Sequence, residues 1–284
     1  MPSLPMTDEN TPLREQVDRS GYAFNMGVAE VIRRSRDRQF WECTAVELPW
    51  SASLSKDGGF IDIAIMRDRA VGIIECKKVN NGDRLVFLTR HDQSESETRC
   101  RLDVYRKDKP QGGALPPQFE TRFGTVECNM VSGSPESAYC VASKGPKSAN
   151  LNLDDIASDL LASCEGLLGD WDLKLRDDPT VCIPIIVTNA LLFTCAFDPA
   201  QMDLGSGDLP ADAAFMSRPF VRFRKALRNG AGLTSLDVKD LDEVVGEGER
   251  TVFVVDSRQL VPFLAGLRSL MCTVDGGARQ LVRG

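Results

Sequence analysis

Apolar residues in the first part of the chain recur at steps of three and four, the spacing of an amphipathic helix. The pattern covers residues 14–36, and Gly21 and Gly27 weaken its helix propensity, so we expect the helix to begin properly near Ser20. Residues 1–12 hold three prolines and are predicted to be a loose tail. The apolar positions that predict the buried face are Val17, Phe24, Val28, Val31 and Ile32.

Three apolar runs of strand length follow this helix. The run 40–50 predicts a strand ended by Pro49, and a polar loop with Asp57, Gly58 and Gly59 comes after it. The runs FIDIAIM (60–66) and AVGIIECKKV (70–79) are separated only by Arg67-Asp68-Arg69. Two strands with so short a link predict a β-hairpin.

The rest of the chain alternates between polar stretches and further apolar elements. Residues 80–150 are polar and irregular, which predicts an insertion with short strands at 85–88, 100–105 and 138–142. Beyond it, the patterns predict a helix over 154–168 stopped by Gly169, buried strands within 182–197, strands at 220–223 and 251–255, and a last helix after Asp256. We therefore predict an α/β fold, a mixed β-sheet flanked by helices, with residues 13–284 as a single domain.

The composition and net charge of the chain indicate its cellular compartment and the kinds of partner it can bind. The nine cysteines are widely spaced with no CxxC pair, which favours a reducing cytoplasm over a disulfide framework or a zinc ribbon. No run of apolar residues is long enough for a transmembrane helix, and the start of the chain does not resemble a secretory signal. The net charge of −7 argues against nonspecific coating of nucleic acid. The single histidine, His91, lies in a polar stretch typical of solvated surface.

Basic residues are concentrated in segments 33–38, 99–109 and 222–228, which are typical of solvated faces. The last of these interleaves aromatic and basic residues within PFVRFRKALRNG. That pattern fits a nucleic-acid backbone contact and fits equally a strand with one solvated face. Phosphate-loop and nucleophile-elbow motifs are absent from the sequence, which excludes the usual nucleotide-driven and serine-hydrolase sites.

The predicted hairpin carries charged residues where a strand should be apolar. Asp62 interrupts the first apolar strand, and Glu75 and Lys77 interrupt the second. Since Glu75 and Lys77 are two residues apart, they point to one face, whereas Cys76 points to the other. If Asp68-Arg69 form a two-residue turn, Asp62 lies directly opposite Glu75, with Cβ atoms about 5 Å apart.

A divalent cation would offset the repulsion between two such carboxylates. Mg²⁺ prefers hard oxygen ligands and needs only one or two protein carboxylates, here Asp62 and Glu75, with the Cys76 backbone carbonyl as a further oxygen. The metal polarises a phosphodiester and lowers the pKa of a bound water. Lys77 would orient the attacking water or offset charge that develops on the phosphate. These residues suffice for phosphodiester hydrolysis.

This arrangement resembles the PD-(D/E)xK nuclease superfamily over about residues 14–80, in its order of helix and three strands. Asp62 and Glu75-Cys76-Lys77 match the motif, and the segment KDGGFIDI resembles the entry to the motif strand in bacterial members. The resemblance implies a restriction-endonuclease-like core, Mg²⁺ (or Mn²⁺) as cofactor, and DNA rather than RNA as substrate. It also implies a role in restriction, repair or antiphage defence.

Two departures from the motif matter for the site. Ile61 stands where the family motif has proline, and the helix glutamate found in many members has no clear match. Asn25 is the position most like it, and Glu30 lies well away from the apolar face of the helix. Glu42 and Glu47, on the strand that follows, are further candidates for a third ligand.

Two other interpretations stay open. A catalytically inactive nuclease-fold module for nucleic-acid or protein binding fits the acidic net charge and the missing helix glutamate. A structural or regulatory protein with a surface salt-bridge hairpin explains the three charged residues without any chemistry. A homodimer or another protein partner fits either the enzyme or the module.

Overall fold

The computed structural model describes residues 10–51, 58–80, 82–90, 99–107, 119–128, 134–142, 152–170, 180–226, 248–267, 270–274 and 277–280. Residues 1–9 of the predicted tail, His91 and the loop KPQGGALPP lie outside the described residues. The described residues form five α-helices: α1 Thr11–Ser20, α2 Tyr22–Arg34, α3 Arg36–Gln39, α4 Leu153–Asp170 and α5 Leu260–Gly266.

The described residues also form fifteen strands. They are β1 Glu42–Ser51, β2 Gly58–Arg67, β3 Ala70–Lys77, β4 Arg84–Arg90, β5 Arg99–Lys107, β6 Phe119–Cys128, β7 Glu136–Ser137, β8 Tyr139–Ala142, β9 Thr180–Thr188, β10 Leu191–Phe197, β11 Ala214–Ser217, β12 Phe220–Ala226, β13 Glu249–Asp256, β14 Leu270–Val274 and β15 Gly277–Gln280.

The larger sheet is mixed and is organised around β9. Strand β3 lies parallel to β9 on one side, and β13 lies parallel to it on the other. The antiparallel pair β1–β2 continues the sheet beyond β3, and β5 joins the opposite edge of β9 near its start. A separate four-stranded sheet has the order β11-β10-β4-β8. The predicted α/β fold, a mixed sheet flanked by helices, is confirmed at this level.

Two clusters of buried side chains flank β9 and its neighbours. We call them the α2-side core, which includes Val28, Ile32, Ile63, Ile74, Ile185 and Phe263, and the α4-side core, which includes Ala64, Ile73, Ala157, Leu160, Ile186 and Leu192. Strand β9 is buried at every position and contributes alternate residues to both clusters. This confirms the prediction that the apolar run contains a strand buried on both faces.

The amphipathic pattern at the start of the chain belongs to two helices rather than one. Gly21 adopts φ 78°, a left-handed conformation that ends α1 and precedes α2. Helix α1 begins at Thr11, inside the predicted tail, and buries none of its residues. Of the positions predicted to be buried, Val17 in α1 and Val31 in α2 are exposed, whereas Val28 and Ile32 lie in the α2-side core.

The segment predicted as an irregular insertion contributes strands to both sheets. Its described parts include β4 and β8 of the smaller sheet and β5, β6 and β7 of the larger one. The smaller sheet itself was not predicted. Pro49 does not end β1, which continues to Ser51. Because β1 is an edge strand whose described pairing is with β2 alone, a residue without an N–H is tolerated there.

The aromatic and basic segment after residue 219 forms β12, in which Arg224 is exposed whereas the other two basic residues of the strand are not. Arg222 and Lys225 are buried, and Arg222 Nε donates to the carbonyl of Ser134 at 2.9 Å. These two side chains therefore contribute to neither a solvated face nor a nucleic-acid contact. Gly169 does not stop α4, which ends at Asp170, two residues later than predicted. Among the described residues, no helix is both long and apolar enough to cross a membrane.

Candidate functional site

The β2–β3 hairpin has the register that a two-residue turn predicts. Asp68 and Arg69 form the turn, and the ladder runs from Arg67 opposite Ala70 to Ile63 opposite Ile74. Asp68 has φ 50°, the left-handed conformation that tight hairpin turns require. The ladder stops one pair before Asp62 and Glu75, so these two residues lie just beyond the paired part of the strands.

Where the backbone ladder between β2 and β3 ends, the side chain of Asp62 connects the two strands. The Cys76 backbone N–H donates to Asp62 Oδ2 at 2.7 Å, so the side chain reaches across from β2 to the backbone of β3. A carboxylate that accepts a backbone N–H is held in one orientation by a charge-assisted hydrogen bond. The carboxylate of Asp62 is thus fixed at the end of the hairpin.

Glu75 and Lys77 project from the same face of β3, as their spacing predicts. Lys77 Nζ lies 2.7 Å from Glu75 Oε1, and both side chains are partly buried. The side chain of Cys76 packs on the other face, in the α2-side core. Asp159 of α4 is close enough to raise the pKa of Glu75 electrostatically, which places this face of β3 beside α4. The structure therefore brings Asp62, Glu75 and Lys77 together.

The site lies at the carboxyl end of a parallel strand pair. Glu75 is level with Ile186 of β9, and Lys77 is level with Thr188. Just beyond, the Asn189 side chain accepts from the Val79 N–H at 2.7 Å and donates to the Val79 carbonyl at 2.9 Å. In open α/β sheets, ligands bind at such carboxyl ends. The two hydrogen bonds from Asn189 hold the backbone at Val79, two residues after Lys77.

Burial and mutual charge shift the pKa values of the three groups. Burial raises the pKa of Asp62, although hydrogen bonds from the Cys76 backbone and the Asn25 side chain and the charge of Lys77 oppose it. The pKa of Glu75 is also raised, first by burial and then by the negative charge of Asp62. Burial alone would lower the pKa of Lys77, but its hydrogen bond and attraction to Glu75 leave it raised. Ionisation of the two carboxyls is thus disfavoured, whereas the neighbouring lysine stays charged.

The four candidates for a third ligand have different surroundings. Asn25 of α2 hydrogen-bonds Asp62, so the helix position that the family resemblance indicated does reach the site. Glu30 is bound by Arg34 at 2.6 Å on the exposed side of α2, and Glu42 lies 3.5 Å from Arg36. Glu47 is exposed, has φ 53°, and lies close enough to Asp62 to raise the pKa of its carboxyl.

Two residues of the site neighbourhood were not predicted. Asn189 lies within the apolar stretch 182–197, and nothing in that stretch indicated that its amide binds Val79. Asp159 lies on the exposed side of α4, where an acidic residue is ordinary. Their relation to the site depends on how distant segments pack.

The donor chemistry at the hairpin end fits a hard divalent cation. Asp62 and Glu75 supply carboxylate oxygens that repel each other in the absence of a cation. The thiol of Cys76 is buried and its pKa is raised, so of this residue only the backbone carbonyl is a suitable ligand. No group of three or more His, Cys, Asp or Glu side chains that could hold a metal occurs in the part of the chain that the structure describes. The candidate site offers only two carboxylate side chains, with a backbone carbonyl as a third oxygen, so it is smaller than such a group.

Comparison of the chain with protein-family models, curated proteins and solved structures gave no match.

Proposed function

We propose that the protein is a Mg²⁺-dependent nuclease that hydrolyses phosphodiester bonds in nucleic acid, DNA rather than RNA, with a PD-(D/E)xK type site. The observation that carries the proposal is the convergence of Asp62, Glu75 and Lys77 at the end of one hairpin. A surface salt-bridge cluster would not require a half-buried aspartate bound to the backbone of the neighbouring strand.

The metal would be held by the carboxylates of Asp62 and Glu75 and by the backbone carbonyl of Cys76. Bound there, Mg²⁺ polarises a phosphodiester and lowers the pKa of a coordinated water. The negative charge of Asp62, which after burial contributes to the raised pKa of Glu75, supports this assignment, because a bound cation would offset that charge. Mn²⁺ would serve as an alternative, since it prefers the same oxygen ligands.

Lys77 would act on the phosphate or on the attacking water. Its raised pKa keeps the ammonium charged at neutral pH, and Glu75 holds it within 2.7 Å of a ligand carboxylate. A positive group at this position stabilises the negative charge that develops on the phosphate oxygens. Asn189 holds the backbone after Lys77 and so limits movement of the strand end.

The arrangement of elements around the hairpin supports a restriction-endonuclease-like core. Helix α2 precedes the consecutive strands β1, β2 and β3, and it packs against all three strands. Helix α4 packs against the same three strands from the side of the α4-side core. This order of helix and three strands is the one that the sequence resemblance implies.

A catalytically inactive module for nucleic-acid or protein binding is the second candidate. It is favoured by Asn25, a neutral residue at the helix position where many family members have a glutamate, and by the net charge of −7. In this case the hairpin cluster would be retained for structure, and binding would not require metal.

The first test is cleavage of plasmid, linear and single-stranded DNA and of RNA, with Mg²⁺ or Mn²⁺. We expect metal-dependent cleavage of DNA, and a loss of about 100-fold or more in rate in Glu75→Gln and Lys77→Ala. Glu30→Gln is the matched control, because Glu30 is exposed and paired with Arg34 away from the hairpin. Loss of activity in Glu30→Gln as well, or cleavage that persists in Glu75→Gln, would refute the assignment.

Metal-free binding separates the two candidates. If the wild type cleaves none of these substrates in either metal, the enzyme proposal fails. Binding of DNA or RNA in EDTA, unaffected by Glu75→Gln, would then support the inactive module.

A further inference from the structure

The side chains of β2 exchange faces at Asp62. Ile63 packs in the α2-side core and Ala64 in the α4-side core, as regular alternation requires. Alternation would place Ile61 with Ile63, yet Ile61 packs in the α4-side core. The strand therefore departs from regular alternation between Ile61 and Ile63, at the position of Asp62.

Strand β1 makes the same exchange at the same level of the sheet. Val46 packs against the α2-side core, whereas Leu48 packs against the α4-side core. Val46 pairs with Ile63 and Leu48 pairs with Ile61, so Glu47 is the residue opposite Asp62. The two irregular positions face each other across the strand pair.

The backbone of Glu47 departs from strand geometry at the level of the exchange. Its φ of 53° lies in the left-handed region, which a non-glycine residue rarely adopts within a strand. The register is unbroken here, with one residue in each strand between the pairs Val46–Ile63 and Leu48–Ile61, so the exchange does not come from an inserted residue. Opposite Glu47, Asp62 reaches sideways to the Cys76 N–H instead of standing on one face of the sheet.

We propose that Glu47 is a positioning residue whose left-handed backbone holds the Asp62 carboxylate between β2 and β3, beside Glu75. The catalytic consequence of this role rests on the proposed function. The placement itself is a property of the strand pair and is open to measurement without activity.

The backbone of Glu47, rather than its side chain, is the feature that matters here. The side chain is exposed, whereas the left-handed conformation lies at the level where both strands exchange faces.

The variants Glu47→Gly, Glu47→Asn and Glu47→Val separate backbone from side chain. Glycine and asparagine tolerate the left-handed region without supplying a carboxylate, whereas the β-branched valine strongly disfavours it. Glu47→Ala, a milder change of the same kind, replaces the valine variant if that chain does not fold. Asp62→Ala removes the acceptor and defines the full loss of the contact.

The first readout is hydrogen exchange of the Cys76 amide in the metal-free protein. We expect wild-type protection in the glycine and asparagine variants. Exchange should be on the order of tenfold faster in Glu47→Val, as in Asp62→Ala, because a hydrogen bond to a charged group is lost. Equal protection in Glu47→Val and the wild type would overturn the proposal.

The second readout is the cleavage rate. We expect kcat to fall on the order of 100-fold in Glu47→Val with KM unchanged, and to stay near the wild-type value in Glu47→Gly and Glu47→Asn. Equal losses in all three variants would assign the role to the carboxylate and overturn the proposal. If the wild type does not cleave, the proposed function fails, and the exchange readout alone decides the role of Glu47.

Discussion

Gly72 provides a direct test of the hairpin register on which the candidate site depends. It lies in β3, opposite Ile65 of β2 and level with Ile183 of β9. A Cβ added at this position would lie 2.6 Å from Ile65 Cγ1 and 2.9 Å from Ile65 Cδ1, closer than real Cβ contacts allow. Gly72→Ala must therefore displace the fully buried side chain of Ile65.

The expected loss follows from two opposing contributions. Overpacking of a dense core costs about 1–3 kcal/mol, while replacing glycine by alanine restricts the unfolded chain and returns about 0.4–1 kcal/mol. We expect Gly72→Ala to lower the free energy of unfolding by about 1–2 kcal/mol, and Tm by roughly 2–4 °C for each kcal/mol. Ile65→Ala alone should lower the free energy of unfolding by about 2–5 kcal/mol, since it leaves a cavity.

The double variant supplies the decisive comparison. Ile65→Ala removes both atoms that would lie within 3 Å of the new methyl group, so the combined loss should be smaller than the sum of the single losses by about 1–2 kcal/mol. Urea unfolding of the four proteins measures this coupling. Gly27→Ala in α2 is the control, because no atom lies near its added Cβ and the change should stabilise the helix by about 0.5–1 kcal/mol. Additivity within about 0.5 kcal/mol would refute the register.

Three further outcomes are expected. Because burial and a neighbouring carboxylate raise the pKa of Glu75, the folded chain keeps this proton above pH 4.5, where the unfolded chain loses it. Stability should therefore fall as pH rises through the raised pKa, and Glu75→Gln should flatten this slope in urea titrations from pH 4 to 7; equal slopes would contradict it. Asn189→Ala removes two hydrogen bonds to the Val79 backbone, and it should lower the free energy of unfolding by about 1–2 kcal/mol in urea and also lower kcat. A destabilised variant with wild-type kcat would exclude a role of Asn189 in positioning Lys77. Arg250→Met leaves Asp103, its partner at 2.5 Å, buried without that positive charge, and should lower the free energy of unfolding by about 3–5 kcal/mol. The double variant with Asp103→Leu should recover most of this loss in urea unfolding; no recovery would show that the loss has another cause.

Local patterns in the sequence were sufficient to predict the hairpin and the side-chain directions within it. A link of three residues between two apolar runs admits few turns, and a two-residue turn sets the pairing of every residue that follows. Glu75 and Lys77 share a face because the side-chain period of a strand is two. The burial of β9 on both faces was likewise visible in its continuous apolar run.

The sequence alone could not show which distant segments meet. The smaller sheet combines β4 and β8 with β10 and β11, and nothing in a short strand indicates its partner. The contact of Asn189 with Val79 joins residues 110 positions apart. The left-handed Glu47 has no signature either, since glutamate is ordinary in an edge strand.

The sequence by itself therefore determined which residue types carry the candidate chemistry, the hairpin that holds them, and the face on which Glu75 and Lys77 lie. These features depend on the local period and on the turn, which act over a few residues. Only the tertiary structure decided that the ladder ends before Asp62, that its carboxylate turns to the Cys76 N–H, and that Asn25 reaches it from α2. These outcomes depend on how strands and helices far apart in the chain pack together, because packing can override the local preference of a single residue.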